Sequence, residues 1–353
     1  MRNPISDLKK WGWKSFFARQ IQETESNFAP VRVVEVHRSG IRVVGPEIDL
    51  QIPRFSSGEG DDEIVATAGD WLLLDGASAR PVRMLQRKSL FQRRAPGKAR
   101  KLQLIAANID TLFIVTSCNH EFNKARLERY LALAKEAEVL PIVILTKSDL
   151  CEGGAHTYLL EAQTLSPDLL VEIVDARNPE SVSHLAGWCG TGETVALVGS
   201  SGVGKSTLVN TLSGTKKAET QSVRESDSKG KHTTSHRTFH QLPTGGWLLD
   251  TPGIRELQLT DVKEGIDEVF SDIVELITQC RFSNCQHKNE PGCAVQAALN
   301  AGELQLDRFK SWQKLAAEEL RNTRSIAGKH TKNRALAKMI KRATKHKNTR
   351  NFE

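Results

Sequence analysis

No apolar run in this chain approaches the roughly 18–20 residues that a membrane-spanning helix needs. The first residues also lack the apolar core and small-residue cleavage site of a secretory signal. Both gaps argue against a spanning or exported protein and for a cytoplasmic one. Cysteine is scarce: there are six in 353 residues, three of them clustered beside a histidine. That usage is no disulfide framework. It points to a reducing compartment and a metal site. Acidic side chains are nearly missing from the last segment. Residues 321–353 carry eleven Lys/Arg against Glu353 alone, a net +10 in a chain whose total is +7, so the rest sums to −3. The basic character therefore belongs to a tail, and a polyanionic partner is expected. The tail has little apolar content beyond "ALAKMI". It is expected to be disordered or to form a helix on its partner, with a solubilising appendage as the alternative. No internal repeat is visible.

What is present describes an ordinary globular protein, 39% hydrophobic and 26% charged, with room for two or three domains. The opening "LKKWGWKSFFARQIQ" is aromatic and basic. A short helix docking on its own domain fits it, and so does an interfacial membrane helix. From Ala29 to about Met84 the segments "VRVVEV", "IRVVG", "DLQIP", "DWLLLDG" and "RPVRML" are separated by glycine-rich turns. Several short strands so spaced point to a small closed barrel, and an SH3-like barrel fits the same pattern. "LQRKSLFQRRAPGKARK" reads as a basic linker, either a solvated connector or a second nucleic-acid contact. From residue 102 apolar strands alternate with helices, which predicts a doubly wound α/β domain with a mostly parallel sheet. Ligands of such sheets sit at the carboxyl ends of the strands.

Three motifs fall at that edge. "GSSGVGKS" (199–206) matches G-x-x-x-x-G-K-[ST] between a predicted strand and helix. Its glycines let the backbone wrap phosphates, and its amides and helix N-terminus face negative charge. Gly199, Gly202, Val203, Gly204, Lys205, Ser206 and Thr207 are the candidate phosphate binders. Lys205 would reach the β- and γ-phosphates, and Ser206 would ligate Mg²⁺. "DTPG" follows an apolar strand, where Asp250 would hold Mg²⁺ and the Gly253 amide would sense the γ-phosphate. Between them lies "GKHTTSHR" (230–237), in which a switch threonine belongs; Thr234 is the first candidate and Thr233 the next. Upstream, "VILTKSDL" (143–150) places Thr146, Lys147 and Asp149 at a strand end. There Asp149 would accept two hydrogen bonds from guanine, with the lysine stem along the ring. The plainer reading makes Asp149 a helix N-cap. In "VDAR" (174–177) the Ala176 amide could reach the guanine O6.

The motif order is base reader, base-edge loop, phosphate loop, switch, Mg²⁺ loop. These are the elements of a GTPase in rotated order, as a circular permutation produces. Downstream, Cys280, Cys285, His287 and Cys293 give C-x₄-C-x-H-x₅-C, the donors of a closed tetrahedral structural Zn²⁺ site. Cys118, Cys151 and Cys189 are scattered and read as ordinary thiols.

Over nearly its whole length the chain resembles the circularly permuted, small-ribosomal-subunit-dependent GTPases of the RsgA (YjeQ/YloQ) family. The barrel, basic linker, "AANID" (106–110), TKSD, GSSGVGKST, KGKHTT, DTPG and the Cys₃His cluster all occur in order. The resemblance implies a multidomain protein. It would have an N-terminal OB-fold barrel, a central α/β P-loop GTPase domain in permuted order and a C-terminal zinc-binding α-helical domain with a basic tail. The expected division is a lead-in at 1–28, barrel at 29–88, linker at 89–101, GTPase domain at 102–262, zinc domain at 263–320 and tail at 321–353. Also implied are a monomer, late maturation of the 30S subunit through its 16S rRNA, and GTP hydrolysis to GDP stimulated by that subunit. Ile254 stands where Ras-type GTPases have a water-orienting glutamine. The family is thought to use a switch histidine instead, which matches His232. Thr146 replaces the asparagine many members carry, which is expected to loosen base contacts and weaken GTP affinity while Asp149 keeps selectivity. The aromatic N-terminus replaces a basic arm found in some relatives. Two other functions fit these residues. One is a GTP-gated RNA-binding scaffold or quality-control factor. The other is a metabolic P-loop ATPase or kinase in which TKSD only caps a helix.

Overall fold

The computed structural model describes residues 4–37, 39–57, 64–94, 102–151, 154–166, 168–214, 237–250 and 262–323. The chain forms two compact units, one of residues 1–93 and 102–257, the other of 94–101 and 258–353.

The first unit opens with two short helices, α1 (Pro4–Lys9) and α2 (Ser15–Ala18). A strand-rich region follows: β1 (Phe28–Val36), β2 (Ile41–Gly45), β3 (Ile48–Ile52), β4 (Ser56–Ser57), β5 (Ile64–Val65), β6 (Trp71–Asp75) and β7 (Pro81–Met84). β1 is its axis. It pairs antiparallel with β2 along one edge, and the register Phe28↔Asp75 to Arg32↔Trp71 puts β6 on the N-terminal half of the other. The five sequence segments expected as strands are β1, β2, β3, β6 and β7. The N-terminal helices dock on this region. Trp13 and Phe17 are buried against Trp71, Leu73 and Leu85, so the aromatic opening segment packs on its own domain.

β8 (Leu90–Arg94) and β9 (Leu102–Ala107) form a separate two-stranded ladder. Residues 90–94 thus form a strand inside the stretch read as a basic linker. Leu90 and Phe91 supply the reason, since Phe91 is buried and basic neighbours hide that short apolar signal. Next come β10 (Thr111–Ser117), α3 (Lys124–Glu136), β11 (Leu140–Thr146), α4 (Ala155–Gln163), β12 (Leu170–Ile173), α5 (Pro179–Val182), β13 (Thr194–Val198) and α6 (Lys205–Ser213). β14 (Arg237–Gln241) and β15 (Trp247–Asp250) close the unit.

The sheet order is β12-β11-β10-β13-β15-β14-β1-β2-β3, parallel from β12 to β15. Every residue of β10 and six of the seven in β11 are buried, as strands covered on both faces must be. The core gathers Phe113, Ile142, Ile144, Val195, Leu208 and Leu248. Each such side chain contributes about 1.5–3 kcal/mol on burial. β14, absent from the sequence reading, runs antiparallel to β15 and pairs with β1 at Glu35↔Thr238 and Val36↔Arg237. Because β2 holds the opposite edge of β1 at Glu35, β14 and β6 share one edge, and the barrel strands and the α/β strands form one sheet.

The second unit contains α7 (Lys263–Val269), α8 (Ser271–Thr278) and α9 (Ala294–Ala301), and residues 306–323 are helical. Thr233, Thr234, His232, Gly253, Ile254 and the tail from 324 onward lie outside the described residues. Among the described residues no helix is long and apolar enough to cross a membrane.

Candidate active site and metal centre

The C-terminal ends of β11, β12 and β13 lie on one edge of the parallel sheet. The phosphate-loop glycines Gly199, Gly202 and Gly204 all have positive φ, at 141°, 80° and 94°. Gly199 is needed for space as well. A Cβ there would meet the Val115 carbonyl oxygen at 2.1 Å, so the loop passes directly over β10. α6 starts at Lys205, whose ammonium donates to the Gly199 carbonyl at 2.8 Å and to that of Ser200. Ser206 and Thr207 occupy the next positions of its first turn, whose amides lack helical acceptors and are available to an anion. Val203 is buried in the loop.

The base loop is tied to this loop through Thr146. Its buried hydroxyl lies 2.5 Å from the Val203 carbonyl and 3.0 Å from that of Thr116. Lys147 then turns left-handed at φ 57° and launches a 3₁₀ turn, Ser148–Leu150. Asp149 caps no helix. α4 begins at Ala155 behind Gly154, and the Asp149 carboxylate instead pairs with Arg177 from the loop after β12. In the same loop the Ala176 carbonyl accepts from Thr211 of α6 at 2.7 Å. Base loop, base-edge loop and phosphate helix are thus cross-linked. The Asp149–Arg177 pair is half open to water and worth about 0.2–1 kcal/mol. An exposed pair of this kind is easily exchanged, so the Asp149 carboxylate is available to a ligand that brings two donors. At the other flank, parallel pairing of β13 with β15 brings the Asp250 end of β15 to the same edge of the sheet.

Sequence reasoning missed Arg177 as the partner of Asp149. It also missed Arg126, whose guanidinium reaches the Ser200 hydroxyl of the phosphate loop. Neither carries a spacing signal. A charged residue at a strand or helix end is common, and only the strand order makes these two neighbours.

In the second unit the ligand atoms of Cys280, Cys285, His287 and Cys293 lie within 4.8 Å of one another. Cys280 and Cys293 sulfurs are 3.9 Å apart, and each is 3.6 Å from His287 Nδ1. A tetrahedron with metal–sulfur bonds of about 2.3 Å has edges of about 3.8 Å, so the donors fit a metal ion. Burial holds the His287 imidazole below its ordinary pKa, which favours the neutral ligand form. The surroundings shape the cluster. Glu290 accepts from the amides of Gln286 and Lys288, the Cys293 sulfur accepts from the Gln296 amide, and Gln296 donates to the His287 carbonyl. Phe309 and Trp312 flank the imidazole, so the cluster joins the end of α8, the start of α9 and the last helix.

Residues 84–260 match the model of the RsgA GTPase family. A "Small ribosomal subunit biogenesis GTPase RsgA" from Mesorhizobium japonicum is 48% identical over 326 residues, 90% of this chain and 91% of that one. A protein named RsgA 2 from Vibrio parahaemolyticus is 44% identical over 97% of this chain and 94% of its own. Among solved structures, YjeQ from Thermotoga maritima matches with a TM-score of 0.61 at 23% identity, covering 83% of this chain and 99% of its own. YloQ, described as a circularly permuted GTPase, matches with a TM-score of 0.58 at 21% identity, covering 84% and 97%.

Proposed function

The chain belongs to the RsgA GTPase family and is a GTP hydrolase of ribosome biogenesis, and from that premise we propose that it binds the 30S subunit through 16S rRNA and hydrolyses GTP during late subunit maturation, stimulated by the subunit. The metabolic ATPase or kinase alternative is set aside with the family. The observation that carries the reading is the junction of Asp149, Thr146 and the Lys205 loop at one sheet edge, with the base reader preceding the phosphate loop in the chain.

In this reading Thr146, Lys147, Asp149 and Ala176 hold guanine. Gly199, Gly202, Val203, Gly204, Lys205, Ser206 and Thr207 hold the phosphates, and Ser206, Thr234 and Asp250 hold Mg²⁺. Gly253 senses the γ-phosphate and His232 orients the attacking water. Cys280, Cys285, His287 and Cys293 hold one structural Zn²⁺, an assignment supported by three thiols and an imidazole at tetrahedral spacing. Bound Mg²⁺ would supply charge neutralisation of the phosphates. The protein acts as a cytoplasmic monomer, its barrel, connector and basic tail facing RNA. The division at 28, 88, 101, 262 and 320 is kept as a functional one.

The test is phosphate release from GTP and from ATP, each with and without purified 30S subunits. Slow GTP turnover that rises sharply with the subunit is expected, and His232→Ala should remove most of the rise. Turnover indifferent to the subunit would discard the partner, and preference for ATP would discard Asp149 as base reader. The brace between the loops has its own test. Thr146→Val keeps the shape but leaves the Val203 carbonyl without its donor, costing about 1 kcal/mol, or about fivefold in affinity for guanine nucleotides. Equilibrium titration with a fluorescent GDP analogue measures it, and an unchanged constant would mean the hydroxyl is idle.

A further inference from the structure

Strand β15 is held by the N-terminal part of the chain directly at its start and through β14 at its end. At its start, the Trp247 indole donates to the Lys10 carbonyl at 2.8 Å and stacks on Trp11 with ring centroids 5.2 Å apart. Trp247 also pairs with Thr194 of β13, whose hydroxyl accepts from Arg32 at 2.8 Å. Arg32 lies on β1 and is 1% exposed. It donates to the Trp11 carbonyl at 2.8 Å, and its guanidinium lies 5.0 Å from the ring centre of Phe239 in β14. Lys14 ties the same segment down through Asp110 at 2.7 Å and Glu193 at 2.9 Å. Gly12 is obligatory in this joint, since a Cβ would meet the Arg32 guanidinium at 2.7 Å and the Gly192 carbonyl at 2.9 Å.

At the other end, the registers Glu35↔Thr238 and Thr238↔Asp250 put a barrel residue and Asp250 on one rung. Adjacent strands are about 4.8 Å apart, so Glu35 sits about 10 Å from Asp250 across the sheet. The ladder itself is thin. β15 has four residues, and β14 meets β1 at two pairs. Contacts from half-buried Trp11 and buried Arg32 therefore add to what sets this strand pair.

We propose that Trp11 and Arg32 are positioning residues for GTP hydrolysis, fixing the β14–β15 pair and with it the placement of Asp250 against the phosphate loop. The proposal rests on the reading of Asp250 as the residue on the Mg²⁺ side of the site. The base and phosphate loops lie at the far ends of β11, β12 and β13, and the Trp11 side chain packs on Trp247 rather than on either loop, so its loss should largely spare nucleotide capture. The chemical step depends on the clamp, because it needs the β15 side in register with the P-loop side.

The test uses the full-length chain in single turnover, with protein in saturating excess over GTP. Trp11→Ala should slow phosphate release about tenfold, as a small misplacement remote from the chemistry does. Affinity for a fluorescent GDP analogue should stay within about twofold, because the P-loop and base contacts that dominate it are untouched. Trp11→Phe should restore most of the rate by keeping an aromatic ring on Trp247. A parental rate in Trp11→Ala overturns the proposal. So does a parallel loss of GDP affinity that Trp11→Phe fails to repair, since that is the mark of general destabilisation. Asp250→Ala is run alongside. If it hydrolyses GTP like the parent, the reading of Asp250 fails; if it is inactive while Trp11→Ala is parental, the clamp alone fails.

Discussion

Lys205→Ala is expected to lose nucleotide binding and turnover together. The ammonium is buried at the start of α6, held by the carbonyls of Gly199 and Ser200, which places it inside the loop that faces the phosphates. A unit charge pair at about 4 Å in a medium of effective dielectric 20 is worth about 4 kcal/mol, or about three powers of ten in affinity. Alanine removes that attraction and leaves two carbonyl oxygens pointing toward anionic ligand, so the net effect should reach at least this size. Arginine should not rescue, since its planar fork is bulkier than the compact ammonium the loop encloses. The measurements are titration with a fluorescent GDP analogue and phosphate release from GTP. The melting temperature should fall only modestly, because the loop fold also rests on its glycines and on Thr146. Affinity within tenfold of the parent would remove the P-loop from the site.

Stripping the metal from the cysteine cluster is the second large effect expected. The described part of this unit spans 262–323, and its buried apolar side chains include Ile266, Val269, Phe270, Ile273, Val295, Leu304, Phe309 and Leu315. That is a small core, of the size at which a metal or disulfide usually supplies the missing stability. Structural zinc contributes about 10–16 kcal/mol in small metal-dependent folds. A domain's entire stability is about 5–15 kcal/mol. The segment from Gln279 to Cys293 has turns but no regular helix, so a metal held by the four ligands would do much to fix its path. One zinc per chain is expected by elemental analysis. A strong chelator, or Cys293→Ser, should cost far-UV helix signal and open the C-terminal unit to protease. GDP binding by the first unit should survive. Full helix signal in metal-free protein would sink the assignment.

Chemistry with a fixed residue requirement was legible in the sequence. Gly199 to Ser206, Lys147–Asp149 and the Cys/His spacing stand out as groups, and the structure brings the loop and the four Cys/His donors together; their ligands remain the proposal above. Long apolar strands such as β10 and β11 were legible too, and their burial on both faces matches their composition. β14 was not, because Arg-Thr-Phe-His-Gln is short and mostly polar, and what makes it a strand is backbone pairing to β1 and β15. Thr146 reads in the sequence as the loss of an amide that loosens base contacts; the brace its hydroxyl makes to a carbonyl 57 residues away was not legible. Arg32 is the hardest case. A lone arginine in "VRVVEV" gives no sign of being buried among Trp11, Thr194 and Phe239.

The pairing of β1 with β14 also governs how this chain can be made. Val36 and its partner Arg237 are about 200 residues apart, and synthesis at about 5–20 residues per second separates them by about 10–40 seconds. During that interval β1 can find β2 and β6, but the C-terminal half of one edge has no strand to receive it. Open edges of this kind invite pairing with other chains, and contacts so distant in sequence slow the final collapse. The N-terminal region therefore emerges well before its sheet can be completed, and the end of β1 stays an open edge until β14 has been translated.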